Sequence, residues 1–296
     1  STLNIKGSIE NDKINFILPR TMVDLSDFIN ISDLSLKGEG PLSLKVQGDL
    51  QNTVIKIVSN LNHFQVLGYS LGRSVQNVNI YLEKDLVEIK EFNGRVNNSS
   101  VVGNGFINYG NQKIDLNLRS KKISYSELNI VLKPILSNLT FLPQDLSFES
   151  SISTRIHGRY QFDQLKIDTT SVLKNITVWG EVFEKGQFDL KLENEELKFL
   201  NAYFKKGPGS ISGSFYYKIP DEHFDFQARW MNFDFQGFNF LKFFSLHFNG
   251  VIQGKASGKG SIHNPEIDIE TYVRKSTSGT YNFRDSFFNF KLKNNI

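Results

Sequence analysis

The chain has 296 residues, of which 39% are hydrophobic and 22% charged, so it can bury a core and is not a disordered tail. No apolar run approaches the roughly 20 residues of a spanning helix, which argues against a transmembrane segment within this sequence. The formal net charge is +3 without a clustered basic patch, which argues against nucleic acid as a partner.

The composition favours strands and turns over helices. Phe contributes 26 residues and Tyr 10, whereas Met contributes 2 and Gly 22, and aromatic residues and glycine are poor helix formers. We therefore predict an all-β fold. The absence of cysteine excludes disulfides, thiolate chemistry and cysteine-based metal sites, and it leaves the compartment open. Because the chain opens at Ser1 on a strand-like sequence, we interpret it as a segment of a longer polypeptide.

Alternation of apolar and polar residues predicts strands along the whole chain. In chain order the clearest are residues 78–83, 114–119, 188–193, 224–230, 267–270 and 288–293. Clusters of Gly, Asn, Asp or Ser separate neighbouring strands at intervals of about 8 to 12 residues. This spacing favours antiparallel hairpins over parallel units, which need a helix between strands. Between Trp230 and Phe235 the apolar positions change from even to odd, which indicates a β-bulge.

Only two segments have helical character. Residues 126–138 are predicted to form a short helix or a single turn, with Ser126 as the cap and Pro134 near the end. Residues 24–29 are predicted to form a turn of the same kind.

The sequence repeats itself with a period of roughly 110 residues. Residues 78–83 are echoed by residues 188–193, and residues 104–106 by residues 212–215. A strand ending in glycine precedes each unit, at residues 46–50, 156–160 and 256–260. We therefore predict three repeats, 1–120, 121–231 and the start of a third at 232–296. The alternative is two ordinary β-domains with a chance similarity.

Motifs that carry catalytic or metal chemistry are not found in the sequence. The five histidines stand alone at positions 63, 157, 223, 247 and 263, so no metal site is predicted. The run 254–260 lacks the spacing and the Ser or Thr of a phosphate-binding loop. In Gly209–Gly213 the central position of a nucleophile elbow is occupied by Ile211. We predict no catalytic residue, no cofactor and no enzymatic activity, although a pair of carboxylates distant in the chain stays an open alternative.

One face of nearly every predicted strand is apolar, so successive strands form a continuous apolar stripe that something must cover. In a compact sandwich a second sheet covers such a stripe. In a long curled sheet acyl chains can cover it, because each buried methylene gains about 0.8 kcal/mol. Phe packs equally well in both environments, so both alternatives stay open at this point.

The segment Gly258–Ile267 reads Gly-Lys-Gly-Ser-Ile-His-Asn-Pro-Glu-Ile and follows a strand. Together with the repeats of about a hundred residues, this pattern resembles the AsmA-like superfamily, and most closely its TamB branch. The resemblance extends over essentially the whole chain as a pattern of weak positions. The Asn-Pro form occurs only in the third repeat, whereas residues 160–164 and 50–53 replace it in the second and the first.

This resemblance implies a long antiparallel sheet curled into a groove with an apolar interior, called a β-taco, in which the three repeats form one continuous groove. It implies the periplasmic part of a protein that a helix anchors in the inner membrane of a diderm bacterium. The implied activity is the passive transport of phospholipids between the inner and outer membranes. The implied partners are phospholipid acyl chains and, through other parts of the full-length protein, an Omp85-type outer-membrane barrel.

On this hypothesis fourteen apolar residues line the lipid groove. They are Ile55, Ile57, Ile80, Leu82, Leu116, Leu118, Leu190, Leu192, Phe224, Phe226, Ile267, Ile269, Phe290 and Leu292. A second hypothesis is a scaffold or chaperone for outer-membrane protein assembly, which pairs the edges of its sheet with strands of a barrel precursor. A third is an extracellular carbohydrate-active or adhesive β-protein, which close carboxylates facing a cleft would indicate.

Overall fold

The computed structural model describes residues 4–27, 36–49, 51–66, 69–127, 145–159, 161–178, 180–234, 249–278 and 280–293. Nearly all of these residues lie in strands, and the strands form an antiparallel sheet that is not closed. The predicted all-β fold with a curled antiparallel sheet is therefore confirmed. The chain divides into two compact units, Ser1–Phe141 with Ser151–Leu165, and Leu142–Ser150 with Lys166–Ile296.

The first unit is a meander of consecutive strands. They are β1 Lys6–Glu10, β2 Lys13–Asp24, β3 Leu36–Asp49, β4 Val54–Val66, β5 Tyr69–Tyr81, β6 Leu86–Val96, β7 Ser99–Asn108 and β8 Lys113–Ser124. Each pairs antiparallel with the next one in the chain. Strand β9, Ser147–Arg159, belongs to the first unit from Ser151 onward and to the second unit before it.

The second unit continues in the same way. Its strands are β10 Leu165–Val178, β11 Glu181–Glu193, β12 Glu196–Lys206, β13 Gly209–Lys218, β14 His223–Asp234, β15 Asn249–Ser261, β16 Asn264–Ser278, β17 Tyr281–Phe283 and β18 Ser286–Lys293. Strands β10 to β16 pair antiparallel in chain order, and β16 pairs with both β17 and β18. The segment Gly258–Ile267 forms the hairpin end of β15 and β16.

The predicted strands lie within observed ones, with one correction. The prediction for residues 78–83 extends too far, because β5 ends at Tyr81 and a 3₁₀ turn, Leu82–Lys84, follows. The alternation continues through Leu82 and Glu83, but Asp85 adopts a left-handed conformation with φ of 50° and closes the turn there. Leu82 is therefore in a turn and is 43% exposed.

The predicted bulge is confirmed in β14. The pairing of β14 with β15 shifts register between Trp230 and Phe233, and Asn232 has a φ of 55°. An extra residue in one strand reverses the faces to which the following side chains point, which accounts for the change from even to odd apolar positions.

Strands β12 to β14 repeat strands β6 to β8. Each begins and ends 110 residues after its counterpart, as with Leu86 and Glu196 at the starts of β6 and β12. The bulge between Ile89 and Phe92 also recurs, between Phe199 and Ala202. This interval equals the period predicted from the sequence, whereas the bounds of the three predicted repeats stay a prediction.

The first helical turn of the segment predicted at 126–138 is present at residues 125–127, and the remainder lies outside the described residues. Its cap is Ser124 and not Ser126, because Ser124 and Glu127 form a capping box. The Glu127 amide donates to Ser124 Oγ at 3.3 Å, and the Ser124 amide donates to Glu127 Oε2 at 3.2 Å. The turn predicted at 24–29 is present at residues 25–27.

Each unit has its own hydrophobic core. In the first unit Val23, Leu61 and Phe64 are buried against side chains of β3, β5 and β6. In the second unit the buried cluster draws on β10, β11, β14, β15 and β16, and its members are Leu173, Ile176, Phe183, Phe233, Ile252 and Val273. Phe233 is only 2% exposed, and one face of a flat sheet cannot bury a side chain so deeply. Phe233 is therefore covered by the other side chains of this cluster.

Close strand packing makes Gly213 in β13 a sensitive position. A Cβ at Gly213 would lie 2.2 Å from the carbonyl oxygen of Gln227, so the backbone itself would have to move. We expect Gly213→Ala to lower the free energy of unfolding by about 1–3 kcal/mol, as overpacking does. Denaturant unfolding checks this value, with Ser214→Ala at the neighbouring exposed position as the control. Equal stability of the two variants would contradict the close approach.

Candidate functional site

An apolar row crosses the first unit from β1 to β8. Cross-strand pairing places in register the residues Gly7, Phe16, Val46, Ile55, Ile80, Val87, Ile107 and Ile114. A second row runs beside it from β2 to β8 and consists of Leu18, Leu44, Ile57, Val78, Ile89, Gly105 and Leu116. Both rows lie on one face of the sheet, because their members are two residues apart along each strand.

The second unit carries matching rows. The first contains Ile167, Leu192, Leu197, Tyr217, Phe224, Gly260 and Pro265. The second contains Thr169, Leu190, Phe199, Phe215, Phe226, Gly258, Ile267 and Leu292. We call the sheet face with these rows the apolar face of each unit, and the opposite side the polar face.

The structure places thirteen of the fourteen predicted lining residues on the apolar faces. Leu118 pairs with Gly103 beside Leu116, and Ile269 pairs with Phe290 beside Ile267. Leu82 is the exception, because it lies in the turn after β5.

The predicted lining residues keep partial contact with solvent. None of them belongs to the buried hydrophobic cores, and those in β4, β5, β8, β11, β14 and β16 are half-buried. Phe290 and Leu292 in β18 are more open, at 56% and 38% exposure. The apolar faces are thus partly covered and partly accessible.

Aromatic rings form a ladder along the apolar face of the second unit. The ring centroids of Phe188 and Phe199 are 5.4 Å apart, and those of Phe199 and Phe215 are 6.1 Å apart. Phe226 lies over Gly258, where a Cβ would meet its ring at 2.3 Å. The glycine gives the ring space to lie against the neighbouring strand, so the surface is smooth and lacks polar side chains at this point.

The polar faces carry cross-strand ion pairs. Lys255 Nζ lies 2.9 Å from Glu270 Oε2, and Lys291 Nζ lies 3.1 Å from Asp268 Oδ2. In the first unit Arg155 binds Asp115 with an N–O distance of 2.7 Å, and this hydrogen bond lowers the pKa of the Asp115 carboxyl. Such exposed pairs contribute little stability, but they keep the polar face hydrated beside the apolar one.

Two features of the structure were missed by the sequence analysis. One is Glu127, a buried carboxylate that accepts hydrogen bonds from Ser99, Ser124 and the Asn98 amide. The Ser-x-x-Glu spacing was the signal that could have identified it. The other is a concave region on the polar face of the second unit, which depends on how the sheet curls and has no signal in the sequence.

Among the described residues, no helix is long and apolar enough to cross a membrane. Within the same part of the chain, no group of three His, Asp or Glu side chains is placed to hold a metal ion. Comparisons of the chain with protein-family models, with curated proteins and with solved structures found no match.

Proposed function

We propose that the apolar faces of this chain bind phospholipid acyl chains, and that the chain is a segment of a bridge-like lipid transfer protein. The observation that carries this proposal is the pair of apolar rows, which run across all strands from β2 to β8 in the first unit. Their members are half-buried, except Leu18, which is 4% exposed. A ligand that binds at one fixed place does not need rows of this length, whereas an acyl chain that slides along the apolar face does.

The dimensions of the rows suit acyl chains. The rows cross seven or eight strands, and at about 4.8 Å spacing they are about 29–34 Å long. The hydrocarbon of one bilayer leaflet is about 15 Å thick, half of a core of about 30 Å. Each row therefore has room for an extended acyl chain with space to move along it.

The energetics favour binding without a catalytic step. A chain of sixteen carbons has a gross driving force of about 12 kcal/mol for leaving water. The rows present mainly Ile, Leu, Val and Phe side chains, together with glycines, Pro265, Thr169 and Tyr217. They contain no charged residue, so a tail can move past them without breaking an ion pair. Head groups would stay in water at the rim of the face.

A closed sandwich is the competing explanation, because a second sheet would cover the same rows. Side chains between two packed sheets are buried like Phe233, at 2% exposure, or Leu61, at 1%. The half-buried state of Leu190 and Phe226 favours a surface that accepts a mobile apolar ligand. By the resemblance noted above, we place this activity in the periplasm between the inner and outer membranes.

Photo-crosslinking tests the proposal. A photo-reactive phenylalanine analogue replaces Phe226 or Leu190, and the purified chain is irradiated with vesicles of phosphatidylethanolamine and phosphatidylglycerol. We expect lipid adducts from both positions because they lie on the apolar face. Mass spectrometry of the chain detects the adducts.

The controls are the adjacent residues on the polar face. The analogue at Asp225 or Lys191 should give no adduct, because consecutive side chains of a strand point to opposite faces of the sheet. Asp225 and Lys191 are next to Phe226 and Leu190 in their strands and therefore point away from the apolar face. Equal labelling from both faces, or no labelling from a folded protein, would contradict the proposal. In the second case a closed sandwich or a strand-pairing scaffold would explain the apolar rows.

A further inference from the structure

The polar face of the second unit contains a groove across strands β12 to β16, with a volume of about 900 Å³. Its lining includes Ser214, Gln227 and Ser257, which pair in register across β13, β14 and β15. These side chains alternate with Phe215 and Phe226 along their strands, so they point away from the apolar face. The groove and the apolar face are therefore on opposite sides of the same sheet.

The floor of this groove offers many hydrogen-bonding groups at close range. Ser212, Ser214 and Ser257 are short, so a ligand can approach the sheet closely. Each hydroxyl donates one hydrogen bond and accepts others, and the amide of Gln227 adds both donors and an acceptor. These donors and acceptors can pair with the hydroxyl groups of a ligand. They can do so whether the ligand is neutral or charged.

The charges in the groove are largely balanced. Lys255 donates a hydrogen bond to the Glu270 carboxylate, and this hydrogen bond raises the pKa of the lysine. Asp268 forms an ion pair with Lys291. The guanidinium of Arg229 adds five further donors in a planar fork. A near-neutral groove of this kind does not favour a polyphosphate or a nucleic acid.

Exposed aromatic rings lie at both sides of the groove. Tyr203 lies in its lining and is 39% exposed. Tyr272 lies two residues beyond Glu270 on the same face, and its ring centroid is 4.7 Å from that of Phe287. These two rings are 46% and 51% exposed. Large aromatic surfaces left in water beside hydroxyl and amide groups mark a binding surface that is apolar in part and polar in part.

We infer that this polar groove binds a saccharide chain. The sugar hydroxyls would hydrogen-bond to the serines, Gln227 and Arg229, and the C–H faces of the rings would stack on Tyr203 and on the Tyr272–Phe287 pair. The inference is independent of the lipid proposal, because it concerns the opposite face of the sheet.

Calorimetric titration of the whole chain with chitohexaose and with hexagalacturonate tests the inference. The first probe is neutral and the second carries carboxylates, so together they cover both classes of saccharide. We expect one of them to bind, and we expect Gln227→Ala, Arg229→Ala and Tyr203→Ala each to weaken its affinity at least tenfold. Thermal unfolding followed by circular dichroism establishes that each variant is folded.

The internal repeat provides matched controls. Asn117 and Arg119 in β8 occupy the positions 110 residues before Gln227 and Arg229, are exposed like them, and lie outside the groove. Tyr281, which is 72% exposed, is the control for Tyr203. Asn117→Ala, Arg119→Ala and Tyr281→Ala should leave the affinity unchanged. Failure of both probes to bind, or equal losses in the groove and control variants, would overturn the inference.

Discussion

Phe226→Asp is expected to keep the chain folded and to abolish acyl-chain binding. Phe226 is half-buried on the apolar face, so the new carboxylate can keep part of its hydration and should cost only about 1–2 kcal/mol of stability. A charge within the apolar row would, however, have to be desolvated whenever a tail passes. We expect lipid crosslinking from Leu190 to fall at least tenfold in this variant.

Phe233→Asp in the same strand is the matched comparison. Phe233 is 2% exposed and belongs to the core of the second unit, together with Ile252 and Val273. Removal of such a ring alone costs about 3–5 kcal/mol, and a buried unpaired carboxylate adds to this cost. We therefore expect Phe233→Asp to unfold the second unit, as circular dichroism would detect. If Phe226→Asp unfolds the chain to the same extent, the apolar face is a closed core and does not bind lipid.

Glu127→Gln is expected to destabilise the first unit by about 2–3 kcal/mol, because the charge-assisted hydrogen bonds weaken. Burial of the Glu127 carboxyl raises its pKa, but hydrogen bonds from Ser124, Ser99 and the Asn98 amide outweigh burial and lower the pKa to about 2. Urea unfolding at neutral pH measures the loss. The exposed Glu91→Gln is the control and should change stability little.

The depressed pKa of Glu127 also predicts how stability depends on pH. The unfolded chain binds a proton near pH 4.5, whereas the folded chain does so near pH 2. The stabilisation is therefore fully present above pH 4.5 and is lost as the pH falls towards 2, by about 3 kcal/mol in total. We expect Glu127→Gln to show a smaller loss of stability over this pH range than the wild-type chain. Parallel acid titrations of the two proteins would contradict this account of Glu127.

Alternation along the sequence was sufficient to predict which residues share a face. Ile55 and Ile80 are 25 residues apart and become cross-strand neighbours, because short turns in a meander bring consecutive strands into register. Leu82 shows the limit of this reasoning, since the same alternation continued past the end of β5. A left-handed residue ended the strand there, and side-chain pattern does not report backbone conformation.

After Trp230 the apolar residues change from even to odd positions, and this change predicted the bulge that the structure shows. The sequence repeat predicted equivalent strands about 110 residues apart, and β6 and β12 are such a pair. The cap at Ser124 was missed because the apolar residues suggested a later start of the helix. Only the hydrogen bonds of Glu127 identify it.

Local features of the sequence were enough to predict the all-β class, the antiparallel hairpins and the apolar positions of the clearest strands. These properties are local, because turn residues and period-2 alternation act over a few positions. Long-range packing is what buries Phe233 and leaves Phe226 half-buried. It also places Arg229 in a groove and Arg119 outside it. Twist and bulges accumulate over many strands to set this curvature, and no short stretch of sequence encodes their sum.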